Sequence, residues 1–270
     1  EKFWGVSNRI ASALGKIGGK QARDGLLKGL KNDHPKIRYG IVKALGQFLH
    51  DEKAAAALRK AAEGDASYRV EAAAFQALGK IKEKKLRVFL ESSLDRPSHN
   101  DMGRLAIFQA LAELEDEASW DAIVQGAKYG APKNSRMAAM RSMAKLVKRY
   151  EHKKGEAIEL LKGFVKETHG TPASAFRGKL GAIQAMEILE DLATVPVLRE
   201  LADRESDGRI QRRAQETISN LFDAAKKPKE LKEIRSELDD ITKDNKSLRD
   251  RLNLLEKKDE AKSKQKKKGK

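Results

Sequence analysis

A pattern that recurs about every 32 residues, with one longer step of 43, constrains the fold of this chain more than any other feature. It is clearest in Ala44-Leu45-Gly46, and its first large apolar residue lies at positions 14, 45, 78, 111, 143, 186 and 218. Another large apolar residue follows three positions later each time. A fixed period in this range is typical of repeat proteins, whose units bury their apolar faces only by stacking on one another. The sequence therefore predicts an all-α solenoid of about seven helical hairpins.

Two apolar stripes within each repeat predict two antiparallel helices. In the first repeat, the spacing predicts a first helix over Trp4 to Ile17, with Val6 and Ile10 on its packing face. Gly18-Gly19 then ends this helix, and a second helix is predicted from about Lys20 to Lys31.

Three of the predicted first helices contain a glycine directly after the recurring apolar residue. Glycine inside a helix costs about 1 kcal/mol relative to alanine, so its recurrence indicates a close approach between neighbouring helices. Ala112 and Ala144 keep this position small in repeats four and five, whereas Glu187 predicts looser packing or exposure in repeat six. The residues predicted to form the stacking contacts are Leu14, Gly15, Leu45, Gly46, Leu78, Gly79 and Leu111.

A second pattern begins after Pro228, where apolar residues are spaced alternately three and four positions apart. This heptad predicts a coiled-coil helix over 228–258, after a solenoid over 1–225 and before a disordered Lys-rich tail over 259–270. Asn245 at an a position favours a parallel homodimer, whereas Leu at a with Ile at d favours tetramers, so the oligomer order stays open. The predicted interface residues are Leu231, Ile234, Leu238, Ile241, Asn245, Leu248, Leu252 and Leu255.

The composition limits the possible chemistry. The chain has no cysteine, which excludes disulfides and thiolate metal sites, and it has five scattered histidines. We predict no catalytic, cofactor-binding or metal-binding residue, and therefore no enzyme activity in this chain. No apolar run approaches the roughly 20 residues of a membrane span, so no membrane partner is predicted. The formal net charge of +16 is compatible with an anionic partner, and a cytoplasmic location is expected.

The residues also resemble two known families. The turn Asp33-His34-Pro35-Lys36-Ile37-Arg38, between paired helices, resembles that of HEAT repeats. Phe3-Trp4-Gly5-Val6, Ala13-Leu14-Gly15-Lys16-Ile17-Gly18 and Asp65-Ala66-Ser67-Tyr68-Arg69-Val70 are similar to the C-terminal HEAT-like extension of prokaryotic M1-family zinc aminopeptidases. This resemblance implies a non-catalytic module. The H-E-x-x-H zinc motif and the G-x-M-E-N substrate motif of that family are absent from this sequence and would lie upstream of it.

A basic residue recurs at one repeat position, in Arg38, Arg104, Arg136 and Lys179. One interpretation is a row of contacts to phosphates or other anions. The favoured interpretation is a ladder of ion pairs between repeats, with Asp33 and Asp65 as candidate partners, because Glu71 interrupts the row. The two tryptophans, Trp4 and Trp120, are expected to be buried between helices, and Tyr68 is expected to pack at a helix start.

Two classes of function remain. The favoured one is a scaffold that binds or positions a protein or peptide, forms a homodimer through its C-terminal helix, and is the C-terminal module of an M1-type aminopeptidase. The alternative is a HEAT-repeat protein that binds nucleic acid through its basic surface and tail, which the net charge of +16 motivates. A bilin-lyase-type enzyme is a further hypothesis, because such proteins also carry Ala-Leu-Gly repeats.

Overall fold

The computed structural model describes residues 3–83, 85–167 and 171–226, together with a few positions between 234 and 245. The described residues are helical throughout, apart from the turns that connect the helices. The α-helices are α1 (Trp4–Ile17), α2 (Gly19–Gly29), α3 (Pro35–Leu45), α4 (Glu52–Gly64), α5 (Tyr68–Ile81), α6 (Leu86–Ser92), α7 (Met102–Leu114), α8 (Trp120–Ala127), α9 (Lys133–Val147), α10 (Lys154–Lys166), α11 (Pro172–Leu189), α12 (Val195–Arg204) and α13 (Gly208–Lys226).

The helices form two layers. The odd-numbered helices from α1 to α11 pack side by side in chain order, and we call this sheet of helices the odd layer. Each even-numbered helix from α2 to α10 packs against the odd helix that follows it, and these helices make the even layer. The apolar core lies between the layers and includes Leu45, Leu78 and Leu111, each 0% exposed. The predicted α-solenoid of helical hairpins is therefore confirmed.

Local capping fixes where several helices begin. Pro35 is the first residue of α3, where its missing N–H has no helical partner, and the His34 side chain accepts a hydrogen bond from the Lys36 N–H. Aspartates cap α4 and the 3-10 turns before α8 and α12. Each of these aspartates also pairs with a cation from an earlier repeat: Arg23 with Asp51 at 2.7 Å, Arg87 with Asp116 at 3.3 Å and Lys154 with Asp191 at 2.8 Å.

The packing face predicted for α1 is largely exposed, which corrects the sequence-based expectation. Val6, Ile10 and Ile17 are 59%, 56% and 76% exposed, and Leu14 is only partly buried. The residues at the same repeat position as Ile10, such as Ile41 and Ile107, are 5% and 1% exposed. The difference arises because an even helix precedes every later odd helix and covers this face, whereas α1 is the first helix described.

The recurring glycines lie where neighbouring odd helices approach most closely. A Cβ atom on Gly15 would lie 3.1 Å from the carbonyl oxygen of Ala44, and one on Gly46 would lie 2.9 Å from the Cβ of Ala77. These glycines therefore lie at backbone-to-backbone contacts. At the same position in α11, Glu187 is half-buried and accepts hydrogen bonds from Arg213 and Asn220 of α13.

The chain divides into two compact units, Glu1–Phe222 and Asp223–Lys270. In the second unit, the described residues Ile234, Leu238 and Ile241 are helical and 52%, 57% and 57% exposed. Asn245 is also helical and exposed. The other predicted interface residues lie outside the described residues, namely Leu231, Leu248, Leu252 and Leu255. The predicted tail over 259–270 also lies outside them. The coiled coil and the three domain boundaries therefore stay predictions.

Candidate interaction surface

The basic residues of the recurring row are engaged inside the solenoid. Arg38 donates from Nε and Nη2 to the two carboxylate oxygens of Asp65, both at 2.8 Å, and from Nη1 to the backbone oxygen of Asp33 at 2.8 Å. Burial alone would raise the pKa of Asp65, but hydrogen bonds from Arg38 and from the Ser67 N–H hold it below its ordinary value. The Arg38 fork is thus occupied by a carboxylate of the next repeat.

The other members of this row also have carboxylate partners. Arg136 is 5% exposed and donates to Glu167 at 2.6 Å and to the Ala127 carbonyl at 2.6 Å. The remaining contacts are Arg104 with Asp101 at 2.8 Å and with the Leu94 carbonyl at 2.7 Å, and Lys179 with Glu205. Three of the four cations, Arg38, Arg136 and Lys179, pair with an acid from the turn before the next odd helix, as in the ion-pair ladder between repeats. Arg104 pairs instead with Asp101, which directly precedes its own helix.

Glu71 does not interrupt this ladder but reverses the charges of one pair. Arg96, from the turn after α6, lies 3.8 Å from the Glu71 carboxylate and also donates to the Glu63 carbonyl. The pKa of Glu71 is raised, chiefly by burial and partly by Asp65, against the opposing effect of Arg96. The acid therefore lies on the odd helix here, and the cation lies in the following turn.

A groove opens on the odd layer between α1 and α7. Its volume is about 620 Å³. Among the described residues, none of those lining it is an aspartate or glutamate. The lining residues are Trp4, Asn8, Pro35, Lys36, Tyr39, Ser67, Arg69, Ala73, Gln76 and Met102. A groove of this size can hold several side chains of a partner, since ligand sites commonly occupy roughly 300–1,000 Å³.

Cations lie beside two aromatic residues that line this groove. The Lys36 ammonium lies 4.5 Å from the centre of the Trp4 ring, and Lys43 lies 5.4 Å from that of Tyr39. Tyr39 is 38% exposed. Arg69 is exposed and has no ion pair with any residue that the structure describes. The groove therefore presents positive charge beside flat apolar surface.

The sequence-based expectations for the large aromatic residues are met only in part. Trp120 is 3% exposed and its indole N–H donates to Glu156 at 3.0 Å, as expected of a packed tryptophan. Trp4 is instead only partly buried and lines the groove, because no helix precedes α1 in the described chain. Tyr68 is 52% exposed at the first position of α5, so the expectation that it packs was wrong.

A row of polar side chains crosses the odd layer beyond the groove. In repeats two to six it occupies the position two residues before the recurring apolar residue, namely Lys43, Gln76, Gln109, Arg141 and Gln184. Gln76 donates to Gln109 at 2.6 Å, and Arg141 donates to Gln184 at 2.8 Å. None of these five residues is an acid, although the same position in repeat seven is Glu216, and the row shares Gln76 with the groove. We call it the polar row.

Comparison with known proteins bears on the class of the fold. Residues 1–79 and 24–111 match the family model of HEAT repeats. No curated protein matches the chain.

In the part that the structure describes, no group of three or more His, Asp or Glu residues is placed to hold a metal ion. None of the described helices is both long and apolar enough to cross a membrane.

Three solved structures are similar to this chain at low sequence identity. The complex of CpcE and CpcF of phycocyanin lyase from Nostoc sp. PCC7120 is similar at 19% identity and a TM-score of 0.47, covering 82% of this chain and 91% of that chain. Human deoxyhypusine hydroxylase in complex with glycerol is similar at 13% identity and a TM-score of 0.37, covering 81% of this chain and 96% of that chain. An archaeal HEAT-like repeats protein from Thermococcus onnurineus NA1 is similar at 13% identity and a TM-score of 0.39, covering 83% of this chain and 98% of that chain.

Proposed function

We propose that this chain is a scaffold that binds a protein through the groove of its odd layer, and that the bound segment is acidic and carries apolar side chains. The observation that supports the proposal is the lining of the groove, in which Lys36 and Arg69 stand beside Trp4 and Tyr39 without a described acidic residue. Positive charge beside aromatic surface is complementary to such a segment, because charge steers the encounter and apolar burial holds the complex.

The basic row of the ladder is a poorer candidate for the same role. Arg38 and Arg136 already hold carboxylates of this chain, so a partner would have to displace Asp65 or Glu167 and leave that acid unpaired. Lys36 and Arg69 meet no such competition, since neither has an ion pair among the described residues. The groove, and not the ladder, is thus the surface on which we place partner binding.

The test of this proposal is charge reversal in the groove. The probe is a fluorescein-labelled peptide of four Glu-Gly-Leu repeats, and the measurement is fluorescence anisotropy at low ionic strength. We expect Lys36→Glu combined with Arg69→Glu to weaken binding by about 10-fold or more, because each substitution replaces attraction by repulsion. The matched control is Lys53→Glu combined with Lys60→Glu, two exposed lysines of α4 in the even layer, which changes the net charge equally.

The outcomes of this experiment separate the candidate functions. Equal weakening by the groove pair and the control pair would assign binding to net charge and contradict the proposal. The nucleic-acid alternative predicts instead that duplex DNA binds more tightly than the peptide, with an affinity that falls steeply with salt after removal of residues 257–270. The motivation for that alternative is the net charge of +16, of which the tail carries a large share.

The C-terminal unit is proposed to form a homodimer. Ile234, Leu238 and Ile241 are exposed on helical backbone, as the interface positions of an unpaired coiled-coil strand would be. We expect light scattering at tens of micromolar to give the mass of a dimer, and Asn245→Leu to raise the order of the oligomer, because a buried Asn specifies the pair. A monomeric mass for the unaltered chain would contradict the proposal.

The link to an M1-type aminopeptidase stays a prediction from sequence. It depends on the segments around Trp4, Gly15 and Tyr68, and the groove neither requires nor opposes it. If the link holds, the groove would position a polypeptide for an enzyme located elsewhere, which is compatible with the scaffold role.

A further inference from the structure

One basic side chain differs from all the other buried or half-buried ones that the structure describes. Every other buried or half-buried lysine or arginine in the described residues has a carboxylate within 4 Å, and Arg141 of α9 has none. The paired residues are Arg23, Arg38, Lys82, Arg87, Arg104, Arg136, Lys153, Lys154, Lys162, Lys179 and Arg213.

The surroundings of Arg141 hold its guanidinium without neutralising it. The described contact of the group is the hydrogen bond from Nη1 to Gln184 Oε1 at 2.8 Å, whereas a guanidinium has five N–H donors. Burial lowers the pKa of Arg141, with no charged neighbour acting against it. A half-buried charge without a counter-ion destabilises the free protein, which is unusual unless something outside the chain supplies the counter-ion.

We propose that Arg141 binds a carboxylate of the same acidic partner that the groove receives, and this inference rests on the proposed function. A carboxylate matches the planar fork of a guanidinium with two parallel hydrogen bonds. Gln184 fixes the orientation of the fork, since its amide oxygen accepts one N–H and holds the side chain on the odd layer. The neighbouring positions of the polar row are glutamines, which do not compete for the cation as an acid would.

The layout of the solenoid sets the spacing of the partner's contacts. The groove reaches α5 and α7 through Gln76 and Met102, and Arg141 lies on α9, the next odd helix along the layer. Packed helices are separated by about 8–10 Å, and extended chain advances by roughly 3.3–3.6 Å per residue. An extended segment would thus place its carboxylate about two to three residues from a side chain held at α7, and about four to six from one held at α5.

The experiment measures binding of the Glu-Gly-Leu probe to Arg141→Gln and to Arg141→Lys. We expect Arg141→Gln to weaken binding about 10-fold and Arg141→Lys to weaken it less, because lysine keeps the charge but loses the two-pronged geometry. The matched control is Arg199→Gln on α12, an exposed arginine without an ion pair in the described residues, which should stay within about twofold of the unaltered chain. Circular dichroism melts establish that each variant is folded.

A second probe distinguishes a carboxylate contact from a general effect. With Gln in place of Glu in the peptide, the unaltered chain and Arg141→Gln should bind equally, since no carboxylate is present. Probe binding that is lost in the Lys36/Arg69 variant and unchanged in both Arg141 variants would overturn this inference and leave the groove proposal standing. Binding that is insensitive to both sets of variants would overturn the groove proposal itself.

Discussion

Replacing Arg136 by methionine is expected to lower the free energy of unfolding by about 3–5 kcal/mol, whereas Arg141→Met should leave it unchanged or raise it. Both side chains extend from α9, Arg136 buried and Arg141 half-buried, but within the described residues only Arg136 has a carboxylate partner, at 2.6 Å. Removing Arg136 leaves Glu167 and the Ala127 carbonyl with lost hydrogen bonds at a site that is 5% exposed. Removing Arg141 eliminates an uncompensated charge and leaves only a glutamine amide to be rehydrated.

The measurement is urea denaturation followed by circular dichroism, with the slope of unfolding compared between variants. An unchanged slope is needed for the midpoints to be read as stability differences. If Arg141→Met destabilises the chain as much as Arg136→Met does, Arg141 has a counter-ion within the protein, and the proposed carboxylate site would lose its basis. A stabilising effect together with weaker peptide binding would instead be the usual trade between stability and function at a binding site.

The sequence predicted the architecture well because the repeat imposes the same physics many times. The recurring apolar residue at Leu45, Leu78 and Leu111 lies in the core, and α1 has the predicted bounds, Trp4–Ile17. Each of these positions is decided by local helical periodicity, which a single sequence displays directly. The second helix was also placed correctly to within about two residues, since it ends at Gly29 and not near Lys31.

Properties of the candidate surface could be predicted less well, because they depend on neighbours that are distant in sequence. Periodicity assigns Ile10 and Ile41 to the same face, but their burial differs with the presence of a preceding even helix. Spacing also does not specify which element carries the acid of an ion pair and which carries the cation. In the pair of Glu71 and Arg96 the acid lies on the odd helix and the cation in the following turn. Arg141 could not be recognised from sequence, since its distinguishing feature is the absence of an acid among residues up to 43 positions away.

The glycine pattern supplies the second large effect, because its interpretation as close helix approach can be tested directly. A Cβ atom on Gly79 would lie 2.6 Å from both the Cα and the carbonyl oxygen of Ala110. These are backbone atoms of α7, so the clash can be relieved only by moving one helix away from the other. We expect Gly79→Ala to lower the free energy of unfolding by about 1–3 kcal/mol, although alanine is the better helix former.

The matched control for Gly79→Ala is Gly163→Ala in α10, where no atom lies within 4 Å of the added Cβ. Here the same chemical change meets only solvent, so helix propensity should dominate and raise the free energy of unfolding by about 0.5–1 kcal/mol. Thermal and urea denaturation of the two variants measure the difference in sign. If both substitutions were stabilising, α5 and α7 could separate without cost, and the recurring glycines would not be explained by stacking. Opposite signs would identify backbone contact between odd helices as the reason that three repeats retain glycine despite its cost to the helix.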